Sequence, residues 1–349
     1  MGWTVTPDEQ PEPDVVVPET PKHAEPVLDS DIRYLLDRLA QSGAKPLSAL
    51  NVEAARAQPT LAAIAREIAP GMEPSIVVEE TSVETGHGPL GLRIYRPQPA
   101  FRGPLPGLVF FGDGLFVLGN GAELDGAGAG LAHRTGAVVI CPMVRHAPEH
   151  RFPAPHVDAL AFWKMLPELA DDLGIEPGRM ALGGEGAGAN LALHVAFEAR
   201  DSKLTPPIHL VLVTPWTTLG VEYPAAAENP LPGFLSAADL GWAARKLVRK
   251  RVDLREPRLN PGARMDFKGL PPTTIILAEH DPLRAEGEAL AGRFRSEGMW
   301  VDMQVMAGTV HGFFGLDRVV NKAMLAQGRV SLNLRVTFES VLSRRARQI

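Results

Sequence analysis

Cysteine is all but missing from this 349-residue chain, and Cys141 is the only one. A disulfide within one chain is therefore excluded. Cys141 follows the apolar run Ala137-Val138-Val139-Ile140, so it reads as a small core residue at a strand end. Long apolar runs are missing too. No segment is apolar over the roughly 20 residues that a membrane span needs, and the first residues show no basic stretch leading into an apolar one. The expectation is a soluble, cytoplasmic protein with no membrane partner. No run of basic residues provides a stripe for phosphates: 35 Lys+Arg stand against 41 Asp+Glu, a net charge of −6, which argues against nucleic acid. The ten histidines show no metal-ligand spacing of the H-E-x-x-H kind, so neither a metal nor another cofactor is expected.

What is present changes character along the chain. Residues 1–26 are rich in Pro and Glu, with Trp3 their only aromatic, and have too little to bury to offset the entropy of folding; they read as a disordered leader. Over residues 27–72, Ile32, Leu35, Leu36 and Leu39, then Leu50, Val52 and Ala55, then Leu61, Ile64 and Ile68 follow helical spacing, with Pro46 and Pro59 as breaks. These are expected as cap helices. Residues 73–349 form the core, opened by two strands, 75–83 and 90–95, joined through Gly86-His87-Gly88. Strands at 107–111, 137–144, 179–183, 209–214, 273–277 and 301–306 then alternate with helices at 122–135, 157–166, 282–296 and 319–344. The alternation predicts an α/β fold with a mostly parallel, doubly wound sheet. Residues 221–269 interrupt it without a strand and are expected as an inserted second part of the cap.

One stretch organises the rest. The apolar run ending at Gly183 breaks at Gly184-Glu185-Gly186-Ala187-Gly188 and passes into Ala189-Asn190-Leu191-Ala192-Leu193, which is a strand, a sharp turn and a helix. Such a turn sets backbone N–H groups at a helix N-terminus on the open edge of a sheet. A dinucleotide site is the first alternative to weigh. The spacing here is G-x-G-x-G, not G-x-G-x-x-G, and the following strand ends in Pro215-Trp216 where an acidic ribose ligand would be needed.

These and three further motifs carry a resemblance. Val144-Arg145-His146-Ala147-Pro148-Glu149-His150-Arg151-Phe152-Pro153-Ala154 is similar to Y-R-L-A-P-E-H-x-F-P-A, Ala278-Glu279-His280-Asp281-Pro282 to a strand-end acid motif, and His311-Gly312-Phe313 to a catalytic-histidine motif. Together with G-x-x-A-G-x-N-L-A at the turn, they mark the chain from about Asp29 onward as resembling the hormone-sensitive-lipase-like carboxylesterases. The resemblance implies an α/β-hydrolase fold with a helical cap, Asp281 as the triad acid and His311 as the general base. It also implies that Gly186 stands where a serine nucleophile belongs. A second departure lies at Val109-Phe110-Phe111-Gly112-Asp113-Gly114-Leu115, which aligns without a gap on V-Y-F-H-G-G-G. By resemblance, the N–H groups of Gly114, Leu115 and Ala187 form the oxyanion hole. Asp113 then projects into or beside the pocket, where apolar surroundings would raise its pKa and make it an acid. Glu185 is expected to stabilise the turn or face the pocket, and Phe116, Trp216 and Phe313 to wall it. Glu149 and His150 are expected to be structural.

Without a serine, the first reading is non-hydrolytic: a lyase or cyclase of specialised metabolism. In it His311 abstracts a proton and drives elimination, for instance of acetate, or cyclisation or isomerisation, as in the carboxylesterase-like cyclases of plant alkaloid pathways. The substrate would be an acyl ester or an apolar polycyclic, polyketide-like molecule. Two alternatives stand beside it. One is a carboxylesterase-like hydrolase, with residual activity through water activated on His311 or with Gly186 as a trap substitution. The other is a ligand-binding pseudoenzyme of the gibberellin-receptor kind. The resemblance also raises a homodimer.

Overall fold

The computed structural model describes residues 27–71, 73–98, 103–119, 121–220 and 234–346. The leader expected over 1–26, and residues 221–233 of the expected insertion, lie outside the described residues. One eight-stranded sheet runs through the molecule: β1 (Ile76–Thr85), β2 (Gly88–Pro97), β3 (Leu105–Phe111), β4 (Val138–Met143), β5 (Ile175–Glu185), β6 (Leu210–Val213), β7 (Thr273–His280) and β8 (Val301–Val310). The spatial order is β1-β2-β4-β3-β5-β6-β7-β8. The β1–β2 and β2–β4 pairs are antiparallel and all the others parallel, which bears out the expected fold class.

Alternation within the central strands sets the layers. In β3, Val109 and Phe111 join the core on one face, with α5 (Ala154–Leu173), α6 (Ala187–Asp201) and α8 (Arg284–Ser296). Leu108 and Phe110 join the core on the other, with α1 (Ser30–Gln41), α4 (Asp125–Thr135) and α9 (Asn321–Ala346). Helices on both faces follow from right-handed β-α-β crossovers. Cys141 is buried inside β4 rather than at its end.

The α5 helix shows tertiary packing overriding a local signal. Pro167 predicts a stop there, yet the helix runs on to Leu173 and ends at Gly174, whose φ of +64° suits a left-handed cap. An interior proline costs ~3 kcal/mol. Burial of Phe162, Trp163, Leu166, Ala170 and Leu173 more than offsets it, at about 1.5–3 kcal/mol for each large side chain.

Two separate segments meet above the sheet edge. Helix α7 (Ala237–Leu247) opens with a reciprocal cap, in which Ser236 Oγ accepts from Asp239 N–H at 3.2 Å and Asp239 Oδ2 accepts from Ser236 N–H at 3.1 Å. The other Asp239 oxygen accepts from Ser48 N–H at 2.7 Å, and Trp242 Nε1–H donates to Leu50 O at 2.9 Å. The N-terminal turn at Leu47–Ala49 is thereby tied to α7 across 191 residues of sequence. Among the described residues, no helix is long and apolar enough to cross a membrane.

Candidate active site

Strands β3 and β5 are parallel neighbours, with Phe111 opposite Gly184, while β3 pairs with β4 on its other side. The chain therefore leaves β3 at a point where the sheet order reverses, and crevices form at such points beyond the strands' C-terminal ends. Four strand ends deliver the candidate residues to that edge. Asp113 follows β3, Gly186 follows β5, Asp281 follows β7 and His311 follows β8.

Asp281, His311 and Asp113 form one continuous line of hydrogen bonds. His311 Nδ1 lies 2.8 Å from Asp281 Oδ2, and His311 Nε2 lies 2.9 Å from Asp113 Oδ2. The second Asp281 oxygen accepts from Leu283 N–H at 2.8 Å, which fixes that carboxylate. Asp113 Oδ1 accepts from two backbone donors, Leu115 N–H at 3.1 Å and Ala187 N–H at 3.0 Å. Asp113 thus spans the site, one oxygen held by the two backbone N–H groups and the other facing the imidazole.

Burial alone would push the His311 pKa down, but the charge of Asp281 and the hydrogen bonds to Asp113 and Asp281 outweigh it and hold it well above the ordinary value. The resting imidazole is therefore protonated, a donor to both sides, whereas the sequence reading makes it a free base. Burial would raise Asp113, yet the hydrogen bond and charge of His311, with the N–H groups of Ala187 and Leu115, hold its carboxyl below the usual range. The expected raised, acidic Asp113 is corrected to an ionised carboxylate, because its neighbours are donors and not an apolar wall. Glu185 behaves the other way. Burial and then the nearby charge of Asp113 push it up to about 8, so it is the neutral acid of the group. Its Oε1 is buried without a hydrogen-bond partner.

Local backbone geometry explains the convergence. Gly114, Leu115 and Phe116 are three consecutive residues at positive φ, +67°, +49° and +63°. Two of them are not glycine, at about 1–2 kcal/mol each. The turn is held from outside: Leu118 N–H donates to Gly114 O at 2.7 Å, Ala147 N–H to Phe116 O at 2.9 Å, and Arg56 Nε–H to Val117 O at 2.8 Å. Arg56 also pairs with Glu149 at 2.8 Å, which places Glu149 in the scaffold, as expected. Gly186 has φ +52° and ψ −115°. A Cβ there would lie 2.9 Å from Asp113 Oδ2 and nearer still to Oδ1 and Cγ, so glycine leaves the room that the carboxylate fills. At Gly188 a Cβ would strike the Phe111 and Gly112 carbonyls, which is why the helix can start so close to β3.

A cavity of about 240 Å³ opens beside these groups, lined by Asp113, Gly114, Leu115, Glu185 and His311 from the sheet edge and by segments around Leu47, Leu61, Leu235 and Asp239 from above. Of the three backbone groups expected for the oxyanion hole, Leu115 and Ala187 make the converging pair, and Gly114 turns the chain ahead of them. Phe116, Trp216 and Phe313 do not wall this cavity. Phe116 is buried between His156, at 5.5 Å between ring centres, and Trp216, at 6.0 Å, while Phe313 packs edge-on to Phe314. The bulk of Phe116 and Trp216 supports the turn from behind, while Phe313 belongs to the core on the other face of the sheet. Sequence reasoning missed Arg56 and the depth to which Asp113 enters the site. It also missed Asn190, whose buried amide donates to Trp216 O at 3.0 Å and Leu259 O at 2.9 Å and whose oxygen lies 3.1 Å from His156 Nε2. Its place three residues after Ala187 in the turn motif was the available signal. Among the described residues, no group of three or more His, Cys, Asp or Glu is arranged to hold a metal ion.

Known proteins share this frame. The family model described as alpha/beta hydrolase fold, Abhydrolase_3, matches residues 108–315. The carboxylesterase NlhH of Mycobacterium tuberculosis is 32% identical over 316 residues, 88% of this chain and 96% of that protein. The ethyl acetate hydrolase of Pseudomonas putida is 30% identical over 251 residues, 70% of this chain and 78% of its own. Among solved structures, the hyperthermophilic esterase of Pyrobaculum calidifontis superposes with a TM-score of 0.81 at 30% identity, covering 88% of this chain and 98% of that one. Matched through its sheet, its turn motifs and most of its length, the chain belongs to the Abhydrolase_3, hormone-sensitive-lipase-like carboxylesterase family.

Proposed function

We propose that this chain is a hydrolase of small organic molecules, esters and related electrophiles, in which the carboxylate of Asp113 takes over the attack that a serine performs elsewhere in the family. In this reading Gly186 marks the place the serine has vacated. The observation that carries it is the double engagement of Asp113: Oδ1 between the Leu115 and Ala187 N–H groups, Oδ2 on His311. The relatives' names, carboxylesterase and ethyl acetate hydrolase, support hydrolysis and small ester-like substrates as the class.

The chemistry follows from the proton positions. Asp113 Oδ2, on a side chain 21% exposed, attacks the electrophilic carbon, and the leaving group departs with the bonding electrons. Alkylation or acylation removes the charge that helped hold the proton on His311. His311 gives its proton to the departing group and becomes neutral; it then draws a proton from water, whose oxygen adds to Asp113 Cγ. The negative charge then develops on Oδ1, already between two N–H donors, and a donor so placed is worth about 10²–10³ in rate. Asp281 holds His311 in register throughout.

Elimination or cyclisation, the first reading from the sequence, needs a neutral imidazole at rest and a vacant pair of N–H groups for an enolate. His311 is held protonated and both donors are engaged by Asp113. The relatives add no support for lyase chemistry either. The test is turnover of short acyl esters and small electrophiles by the parent chain, Asp113→Ala and Asp113→Asn. A loss of at least about 100-fold in kcat in both variants is expected. Unchanged or increased turnover in Asp113→Ala would refute the assignment, since it would make the carboxylate an obstruction.

A further inference from the structure

We infer that the preferred electrophile of this site is a saturated carbon bearing a strained oxygen leaving group, an epoxide, and not an acyl carbon. The inference rests on the reading of Asp113 as the attacking carboxylate and asks what its surroundings are built to stabilise.

Attack on an acyl carbon places negative charge on the substrate's own carbonyl oxygen, and that oxygen needs donors. The converging donors in this site, Leu115 N–H and Ala187 N–H, lie 3.1 and 3.0 Å from Asp113 Oδ1 and are engaged by it. Oδ1 cannot leave them while Oδ2 stays on His311, because the two oxygens share one carboxyl plane and a Gly186 Cβ-sized space holds them. An acyl substrate therefore meets an occupied hole. Displacement at a saturated carbon creates no carbonyl oxyanion in its first step. The only acyl carbon it generates is Asp113 Cγ, in the new alkyl ester, and the carbonyl oxygen of that ester is Oδ1. The two donors are thus in place for the second step of this route and for no oxyanion of an acyl substrate.

The leaving group is chosen by His311. At rest its Nε2–H donates to Asp113 Oδ2. When Oδ2 bonds to carbon, the C–O bond of the ring breaks on the far side of that carbon; rotation about the adjacent C–C bond then brings the released alkoxide round to Nε2–H, and it takes that proton. His311 is now neutral and is the base that the second step needs. Water gives it a proton and adds to Cγ. The tetrahedral centre collapses, expelling the second diol oxygen, which takes the remaining proton of the added water, and the Asp113 carboxylate and protonated His311 are restored. The sum is epoxide plus water to vicinal diol, with no oxidant, metal or further reactant. A halide leaving group takes no proton, so it would leave His311 protonated when a base is required. The cavity of about 240 Å³ with Leu47, Leu61, Leu235 and Leu316 among its lining residues suits an apolar substituent on the ring.

The test uses the full chain with styrene oxide, 1,2-epoxyhexane and cyclohexene oxide, beside phenyl acetate and p-nitrophenyl acetate, with Asp113→Ala as control. At least one epoxide is expected to give its diol with kcat/KM at least about 100-fold above that for the esters, and Asp113→Ala to abolish it. Asp113-dependent hydrolysis of the esters with no diol from any epoxide overturns the inference and leaves the covalent carboxylate standing. No Asp113-dependent turnover of either class overturns both.

Discussion

Restoring a serine at the turn is the perturbation the geometry judges most sharply. In Gly186→Ser the new Cβ lies 2.9 Å from Asp113 Oδ2 and closer to Oδ1 and Cγ, against about 3.5–4.0 Å for an unstrained contact. The backbone there, at φ +52°, costs a non-glycine residue about 1–2 kcal/mol. Displacing the carboxylate also gives up three charge-assisted hydrogen bonds, to Leu115, Ala187 and His311. Each is worth about 1.5–3 kcal/mol, and water recovers part of that because the side chain is not fully enclosed. The net loss for Gly186→Ser is expected to be about 3–5 kcal/mol. Adding Asp113→Gly removes the clash, so the pair should couple by at least about 1.5 kcal/mol in a double-mutant cycle read by urea unfolding. Activity should follow the same logic. Gly186→Ser alone gains little esterase activity on p-nitrophenyl acetate, whereas the double variant frees both N–H donors and completes a serine–His311–Asp281 line. Additive stabilities, with the single variant as active an esterase as the double, would refute the packing argument.

Two further outcomes rest on other parts of the site. Glu185, raised by burial and by Asp113 to about 8, binds a proton in the folded state that the unfolded chain releases near the ordinary glutamate value of 4.5. Its contribution to stability is complete below that lower value and is lost as pH rises through about 8. At 1.4 kcal/mol per unit this amounts to something on the order of 5 kcal/mol, and Glu185→Gln should flatten that part of the stability–pH curve measured by denaturant unfolding. Asn190→Ala removes a buried amide that serves the Trp216 and Leu259 carbonyls and His156. A destabilisation of about 2–4 kcal/mol is expected, and an unchanged denaturation midpoint would show that the amide holds nothing in place.

Much of this architecture is legible in the residues because local pattern and global fold agree. The apolar runs of β3 to β8 sit between turn residues, and the motif residues Gly186, Asp281 and His311 fall just beyond strand ends, where a parallel sheet displays side chains. What the sequence could not convey is depth and direction. Asp113 is legible as a side chain near the pocket, but only the left-handed run through Gly114, Leu115 and Phe116 turns Leu115 N–H back onto its carboxylate. That one hydrogen-bond pattern reverses two assignments, an acidic Asp113 and a free-base His311. The aromatic residues Phe116, Trp216 and Phe313 misled for a related reason. An aromatic beside a catalytic motif can face the substrate, brace a loop from behind or simply fill the core, and the sequence pattern is the same in all three cases. The helix expected over 157–166 runs on past Pro167 to Leu173 because burial along α5 outweighs one lost backbone hydrogen bond.

The central claim is that Asp113 bonds covalently to substrate during hydrolysis, and a single turnover in H₂¹⁸O with the protein in excess, on the substrate it converts fastest, tests it most directly. Water that attacks Asp113 Cγ leaves its oxygen in the carboxylate. Mass spectrometry is then expected to find one ¹⁸O in the peptide containing Asp113 and none in the first-turnover product. Label in the product, with an unlabelled Asp113 peptide, would contradict the account, because the water would then have attacked the substrate itself.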